Sequence, residues 1–280
     1  MKDRYQELFQ QLDARREGAF IPFIVLGDPN PERSLAIAKT LVEAGADALE
    51  LGLAFSDPVA DGPIIQAADN RALAAGMRQE HAWSITSKLR EAYPDLPMGL
   101  LVYANLVEVR GANAFYAAAH EAGVDSVLIA DVPSLEIDGY TAQAAAHEIS
   151  LVMIATPAAD ERQLQAIARC GRGYTYVVTR TGVTGVDEDA QLCHGELIER
   201  LEGCGAPPAI FGFGISKPDH VRQALAAGAK GAISGSAVVR RIEAHLDDDE
   251  ALHAELTSFV SKMKAATRQP AGGRSERPCH

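Results

Sequence analysis

The chain has 280 residues, 47% hydrophobic and 23% charged, proportions of a globular protein able to bury a sizeable core. Its formal net charge of −12 argues against nucleic acid or an anionic membrane as the main partner, so an anionic ligand must be held locally, by backbone dipoles rather than by a basic field. No stretch approaches the roughly 18 continuous apolar residues of a membrane span, the charged N-terminus lacks the apolar segment of a secretory signal, and Cys170, Cys193, Cys204 and Cys279 show no paired spacing, as expected of reduced thiols in a cytoplasm.

The first fifteen residues read as an extra amphipathic helix that plugs the bottom of the fold. Eight apolar runs follow: "FIPFIVLG" (20–27), "ALELG" (48–52), "MGLLVYA" (98–104), "SVLIAD" (126–131), "SLVMIAT" (150–156), "YTYVVTR" (174–180), "AIFGFG" (209–214) and "GAISGS" (231–236). Each is continuous rather than alternating, which is the pattern of parallel strands buried on both faces. Helical patterns such as "PERSLAIAKTLVEAGA" and "KPDHVRQALAAGA" lie between them. Eight strand–helix units point to one closed (β/α)8 TIM barrel rather than an open doubly wound sheet. "EAGADALELG", "EAGVDSVLIAD" and "AAGAKGAISGS" share one plan, a helix end, a left-handed glycine cap, a short turn and a buried strand. The expected organisation is a barrel over residues 1–267 and a disordered Gly/Pro/Arg-rich tail over 268–280, with no second domain.

Active sites of such barrels form at the C-terminal ends of the strands. Glu50 is a lone acid in the apolar run "ALELG", close to the end of its strand. It is either satisfied by neighbouring hydroxyls and amides or is a general acid–base whose pKa is raised by desolvation; the second reading is favoured. In the long loop "FSDPVADGPIIQ" (55–66), Asp57 precedes a proline and reads first as a turn residue. Asp61 precedes Gly-Pro, and its position alone leaves it open between a turn and a second carboxylate on a lid.

Three glycine-containing segments close the second half: "TGVTG" (181–185), "GFGIS" (212–216) and "SGSAVV" (234–239), the last running into a helix start at Ser236. Glycines after successive strands with a helix N-terminus are the usual phosphate cradle of this fold, because backbone N–H groups need a close approach that side chains block. The seven lysines, at 2, 39, 88, 217, 230, 262 and 264, avoid the strand ends, which counts against a Schiff-base aldolase or pyridoxal phosphate chemistry in this chain. The histidines are scattered and Cys193-His194 has no further ligands nearby, so no metal site is expected. Carboxylate acid–base chemistry on a phosphorylated substrate remains.

"FIPFIVLGDP", "EAGADALELG…FSDPVADGPIIQ", "GLLVYANL", "AGVDSVLIADVP", "GRGYTYVVTRTGVTG" and "FGFGIS…GAISGSAVV" together resemble, in order and from about residue 4 to about residue 267, the tryptophan synthase alpha subunit. The resemblance implies a lyase that cleaves indole-3-glycerol phosphate to indole and glyceraldehyde 3-phosphate. It also implies a beta-subunit partner in an alpha2beta2 assembly, which carries the pyridoxal phosphate and receives the indole; this chain itself needs no cofactor. Carried over by motif, Glu50 is the acid–base carboxylate and Asp61 the second catalytic acid, which holds the indole N–H. Gly185, Gly214, Gly235 and Ser236 hold the phosphate. Phe23, Leu101, Tyr176 and Phe213 line an indole slot, Thr184 closes over Asp61, and Asp57 and Pro58 sit at the subunit contact. The family usually has proline where this chain has Ala54, which loosens the loop, and often threonine at Ile64. A stand-alone lyase that releases indole, a barrel acting on another sugar phosphate, and a non-catalytic subunit that only activates a partner are the alternatives.

Overall fold

The computed structural model describes residues 3–178 and 188–268, and for 188–194 the backbone only. Thr184 and Gly185, the side chains of Cys193 and His194, and the tail from residue 269 lie outside the described residues. Among the described residues the strands are β1 Ala19–Leu26, β2 Leu49–Leu53, β3 Met98–Val102, β4 Ser126–Ile129, β5 Ser150–Leu151, β6 Met153–Ala155, β7 Thr175–Val177, β8 Ala209–Phe211 and β9 Gly231–Ser234. The helices are α1 Arg4–Arg15, α2 Pro31–Glu43, α3 Pro63–Ala74, α4 Gln79–Ala92, α5 Ala104–Glu108, α6 Ala112–Glu121, α7 Asp138–Ala146, α8 Glu161–Cys170, α9 Glu188–Gly203, α10 Pro218–Ala226, α11 Ser236–Ala244 and α12 Asp249–Ala265.

All pairings are parallel, in the order β5-β4-β3-β2-β1-β9-β8-β7-β6. The fifth apolar run supplies two strands instead of one. β5 pairs with β4 and β6 with β7, and the chain passes from one neighbour to the other at Val152, whose N–H donates to the Val127 carbonyl at 2.9 Å. On the other side the Arg172 N–H reaches the Leu151 carbonyl at 2.8 Å, so the ring runs through this one segment and the nine strands fill eight barrel positions. All eight residues of β1 and all five of β2 are buried, one face in the barrel and the other beneath helices, as their unbroken apolar sequence anticipates.

The repeated helix–glycine–strand plan is present. Gly45, Gly123 and Gly228 have φ of +107°, +81° and +101°, a region closed to most side chains, and each reverses the chain between a helix and the next strand. The N-terminal helix is α1. Asp3 caps it by accepting from the Gln6 N–H, and Tyr5, Phe9 and Leu12 form its buried stripe. Tyr5 carries the plug: its hydroxyl lies 2.9 Å from Ser126 Oγ, at the first residue of β4, and its ring packs 5.4 Å from that of Tyr174. The strands end earlier than their apolar runs. Tyr103 already precedes α5, and Gly212–Gly214 and Gly235 are loop, which frees them for the mouth of the barrel.

Candidate active site

Glu50 is the second of the five residues of β2, opposite Phe23 of β1 and Gly99 of β3. It lies deeper than a strand-end position, so its carboxyl forms the floor of the mouth cavity rather than its rim. Only 2% of it is exposed. Tyr174, from just before β7, donates its hydroxyl to Glu50 Oε1 at 2.8 Å. Burial pushes the Glu50 pKa up to about 7; the Tyr174 hydrogen bond opposes this and the charge of Asp61 adds to it. A carboxyl near neutrality is a competent proton donor and acceptor in turn.

Asp61 hangs above this floor on the loop between β2 and α3, and the loop is held from several sides. Tyr103 donates its hydroxyl to Asp61 Oδ2 at 2.6 Å and accepts from the Ala60 N–H at 3.1 Å. The Asp61 N–H turns back to the Pro58 carbonyl at 3.0 Å, and Gln66 Nε2 donates to the Asp61 carbonyl at 2.7 Å. The Phe55 ring stacks on Tyr103 at 5.2 Å, while its N–H reaches Asp69 Oδ1 at 3.4 Å. Burial raises the pKa of Asp61, countered by the Tyr103 hydrogen bond. The far end of the loop is fixed because Arg71 of α3 grips the buried Asp28 with two bonds, Nε to Oδ1 at 2.7 Å and Nη2 to Oδ2 at 3.0 Å.

Both carboxyls open into one cavity of about 400 Å³, which Phe23, Leu101, Tyr176, Phe213, Gly214, Gly235 and Ser236 also line. The structure therefore brings together every described residue expected at the substrate. Asp57 and Pro58 are not part of this cavity. Asp57 is exposed and accepts from Ser56 Oγ at 2.5 Å, Pro58 is buried, and Val59 next to it is 83% exposed.

Gly212, Gly214 and Gly235 also line the cavity. Gly214 has a φ of +76°, and a Cβ on Gly212 would lie 1.9 Å from the Tyr176 ring, whose hydroxyl donates to the Gly212 carbonyl at 2.5 Å. Gly235 is the N-cap of α11, with no side-chain cap, so the first amides of that helix are left to face the cavity at Ser236. Among the described residues no group of three or more His, Cys, Asp or Glu could hold a metal ion, and no helix is long and apolar enough to cross a membrane. Tyr103, Tyr174, Gly212, Ser216 and Arg240 belong to the site and were not anticipated. "GYTY" and "FGFG" carried a signal for two of them, since a tyrosine or glycine flanking a short barrel strand sits where side chains meet the interior.

A parallel barrel with two carboxyl groups in its mouth cavity defines the class of (β/α)8-barrel enzymes that work by acid–base chemistry. Within that class the chain belongs to the tryptophan synthase alpha chain family, whose model matches residues 9–268. The tryptophan synthase alpha chain of Vibrio cholerae serotype O1 is 53% identical over 266 residues, covering 95% of this chain and 99% of that protein. That of Pectobacterium atrosepticum is 52% identical over 266 residues, with the same coverage of 95% and 99%. Among solved structures, the tryptophan synthase alpha chain from Legionella pneumophila subsp. pneumophila superposes with a TM-score of 0.87 at 27% identity, covering 98% of this chain and 100% of that one. A chain of tryptophan synthase from M. tuberculosis in its aminoacrylate-bound form gives 0.83 at 25% identity, covering 95% and 100%.

Proposed function

We propose that this chain is the alpha subunit of a cytoplasmic tryptophan synthase, cleaving indole-3-glycerol phosphate to indole and glyceraldehyde 3-phosphate in tryptophan biosynthesis. Its partner is the beta subunit, in an alpha2beta2 assembly, and the pyridoxal phosphate belongs to that subunit. The observation that carries the reading is the pair of carboxyls in one cavity, Glu50 buried at the floor with a pKa near 7 and Asp61 on the loop above it.

The chemistry follows from those positions. Protonated Glu50 gives its proton to C3 of the indole ring, which turns the ring nitrogen into an iminium. Asp61, ionised, stabilises that positive charge. Glu50, now a carboxylate, takes the proton of the C3′ hydroxyl; the C3–C3′ bond breaks, its electron pair returns to the ring and C3′ leaves as the aldehyde. The proton that Glu50 lends it regains, so one group serves both steps. Tyr174 orients the Glu50 carboxyl, and the Tyr103 hydrogen bond favours the ionised form of Asp61 against the burial that raises its pKa. Phe23, Leu101, Tyr176 and Phe213 supply apolar walls for the indole. Amides at Gly214, Gly235 and Ser236 take the phosphate, and the resemblance adds Thr184 and Gly185, outside the described residues, to the substrate-binding set. Exposed Asp57 and Val59, with Pro58 between them, offer the partner a contact.

The test is indole release from indole-3-glycerol phosphate, followed with and without a beta subunit. Indole formation that the beta subunit accelerates is the expected result. No indole under either condition overturns the lyase reading, and a rate indifferent to the beta subunit means a stand-alone lyase.

A further inference from the structure

The cavity that takes a phosphorylated substrate on this reading is lined by two carboxyls and, among the described residues, by one cationic side chain, Arg240. A phosphate entering a protein of net charge −12, into a cavity that also holds the Asp61 carboxyl, meets repulsion that a cationic side chain would offset. Arg240 lies on α11 four residues after Ser236, so both project from the same face of the helix, toward the end where its amides are unpaired.

The contrast with the next residue is informative. Arg241 is fully committed to structure: its Nε pairs with Glu255 Oε1 at 3.0 Å, its Nη1 donates to the Ala237 carbonyl at 2.7 Å, and its guanidinium lies 3.8 Å over the Phe259 ring. Arg240 is exposed and has no hydrogen bond or ion pair among the described residues. One turn of helix thus carries two arginines with opposite assignments, one locking α11 to α12 and one left facing the substrate cavity. With no partner among the described residues, Arg240 has its positive charge and its five donors available to the cavity.

We propose that Arg240 is a specificity-determining residue for the phosphate: its guanidinium closes the open side of the amide cradle at Gly214, Gly235 and Ser236 and selects the phosphorylated substrate. This rests on the lyase reading above. Because the phosphate does not react, the contact is equal in the ground and transition states, and its loss appears in KM rather than in kcat.

The experiment is steady-state cleavage of indole-3-glycerol phosphate by the wild-type chain, Arg240→Gln and Arg240→Lys, with inorganic phosphate and uncharged indole-3-propanol as competing probes. Arg240→Gln is expected to raise KM about tenfold, with kcat changed less than about twofold. Inhibition by inorganic phosphate should weaken by a similar factor and inhibition by indole-3-propanol should not change. Arg240→Lys should recover part of the loss, since it keeps the charge but not the planar fork. An unchanged KM in Arg240→Gln overturns the proposal, because the backbone cradle then suffices. So does an equal loss of affinity for both probes, which marks a structural role. Wild-type chain that inorganic phosphate does not inhibit removes the phosphate reading itself, and this inference with it.

Discussion

Glu50 and Asp61 are both carboxyls desolvated by one cavity, and their hydrogen bonds fit them to the different tasks proposed for them. Glu50 is buried in the barrel with one tyrosine hydroxyl as its partner, and its pKa of about 7 lets it exchange a proton in both directions. Glu50→Gln keeps the shape of the side chain and an oxygen to accept from Tyr174. Fold and substrate binding should therefore persist while turnover falls at least about a hundredfold, checked by circular dichroism and by single-turnover indole release. Near-normal turnover in this variant would make Glu50 a satisfied core acid. At Asp61 burial raises the pKa and the hydrogen bond from Tyr103, whose hydroxyl also accepts from Ala60, opposes it in favour of the carboxylate. Tyr103→Phe removes a hydrogen bond to a charged group, worth about 1.5–3 kcal/mol, part of which solvent replaces at this half-open site. The expected loss in kcat/KM is about tenfold. The bond favours the carboxylate, so without it the pKa of Asp61 rises further and the acid limb of the pH–rate profile moves to higher pH. A profile that keeps its shape while the rate falls would assign Tyr103 to packing alone.

At the scale of an element, the loop between β2 and α3 carries Asp61 and shows the exposed Asp57 and Val59. Its ends are fixed by the β2 ladder and by the Arg71–Asp28 pair, and its middle rests on Phe55 and Tyr103. Ala54 stands at its start, half-buried against the core. Proline there removes backbone freedom that is otherwise lost on docking, an effect of about 0.4–1 kcal/mol. Ala54→Pro should tighten beta-subunit binding, or its stimulation of cleavage, by roughly two- to fivefold, with the fold of the isolated chain unchanged. Calorimetric titration together with indole release decides it; unchanged or weaker binding would mean that the loop is already held by its tyrosine and phenylalanine. This loop also shows what the sequence made legible. An acid in an apolar run stands out because burying it is costly, so Glu50 could be singled out in one dimension, whereas the position of Asp61 left it open and only the family resemblance named it. The strands were legible because burial on both faces leaves an unbroken apolar run. The break at Val152 was not, since a run looks the same whether one neighbour or two take its hydrogen bonds. Tyr103 and Tyr174 act through hydrogen bonds across 42 and 124 residues, a relation no local pattern records. Arg240 and Arg241 are adjacent in a helix, and their opposite assignments depend on its phase relative to the barrel mouth. Counting one turn from Ser236 would have distinguished them.

For the whole molecule, buried carboxyls inside and outside the site set the pH dependence of stability. Burial raises the pKa values of Glu50 and Asp69 to about 7, and those of Asp28, Asp47, Asp61 and Asp125 are raised as well. A carboxyl whose folded pKa lies above its unfolded value binds more protons when folded. Its contribution to stability is complete below the unfolded pKa, near 4, and is lost as the pH rises through the folded one, near 7 for Glu50 and Asp69. Glu17, paired with Lys264, is shifted the other way, but it is outnumbered. The net charge of −12 at pH 7 adds repulsion in the same direction, because it grows as these groups ionise. Thermal stability should therefore be higher near pH 5.5 than near pH 8. Asp69 tests the cause, because it is 4% exposed, contacts the loop between β2 and α3, and among the described residues accepts one long bond, from Phe55. Asp69→Asn keeps an oxygen for the Phe55 N–H and removes the titration. It should stabilise the fold at pH 8 by on the order of 2 kcal/mol, roughly 4 °C in Tm, and by much less at pH 5.5, where Asp69 is already protonated. Thermal unfolding of both chains at the two pH values is the measurement. An equal difference at both would trace the gain to packing rather than charge, and a loss at pH 8 would show that the Asp69 carboxylate is itself a stabilising partner of the loop.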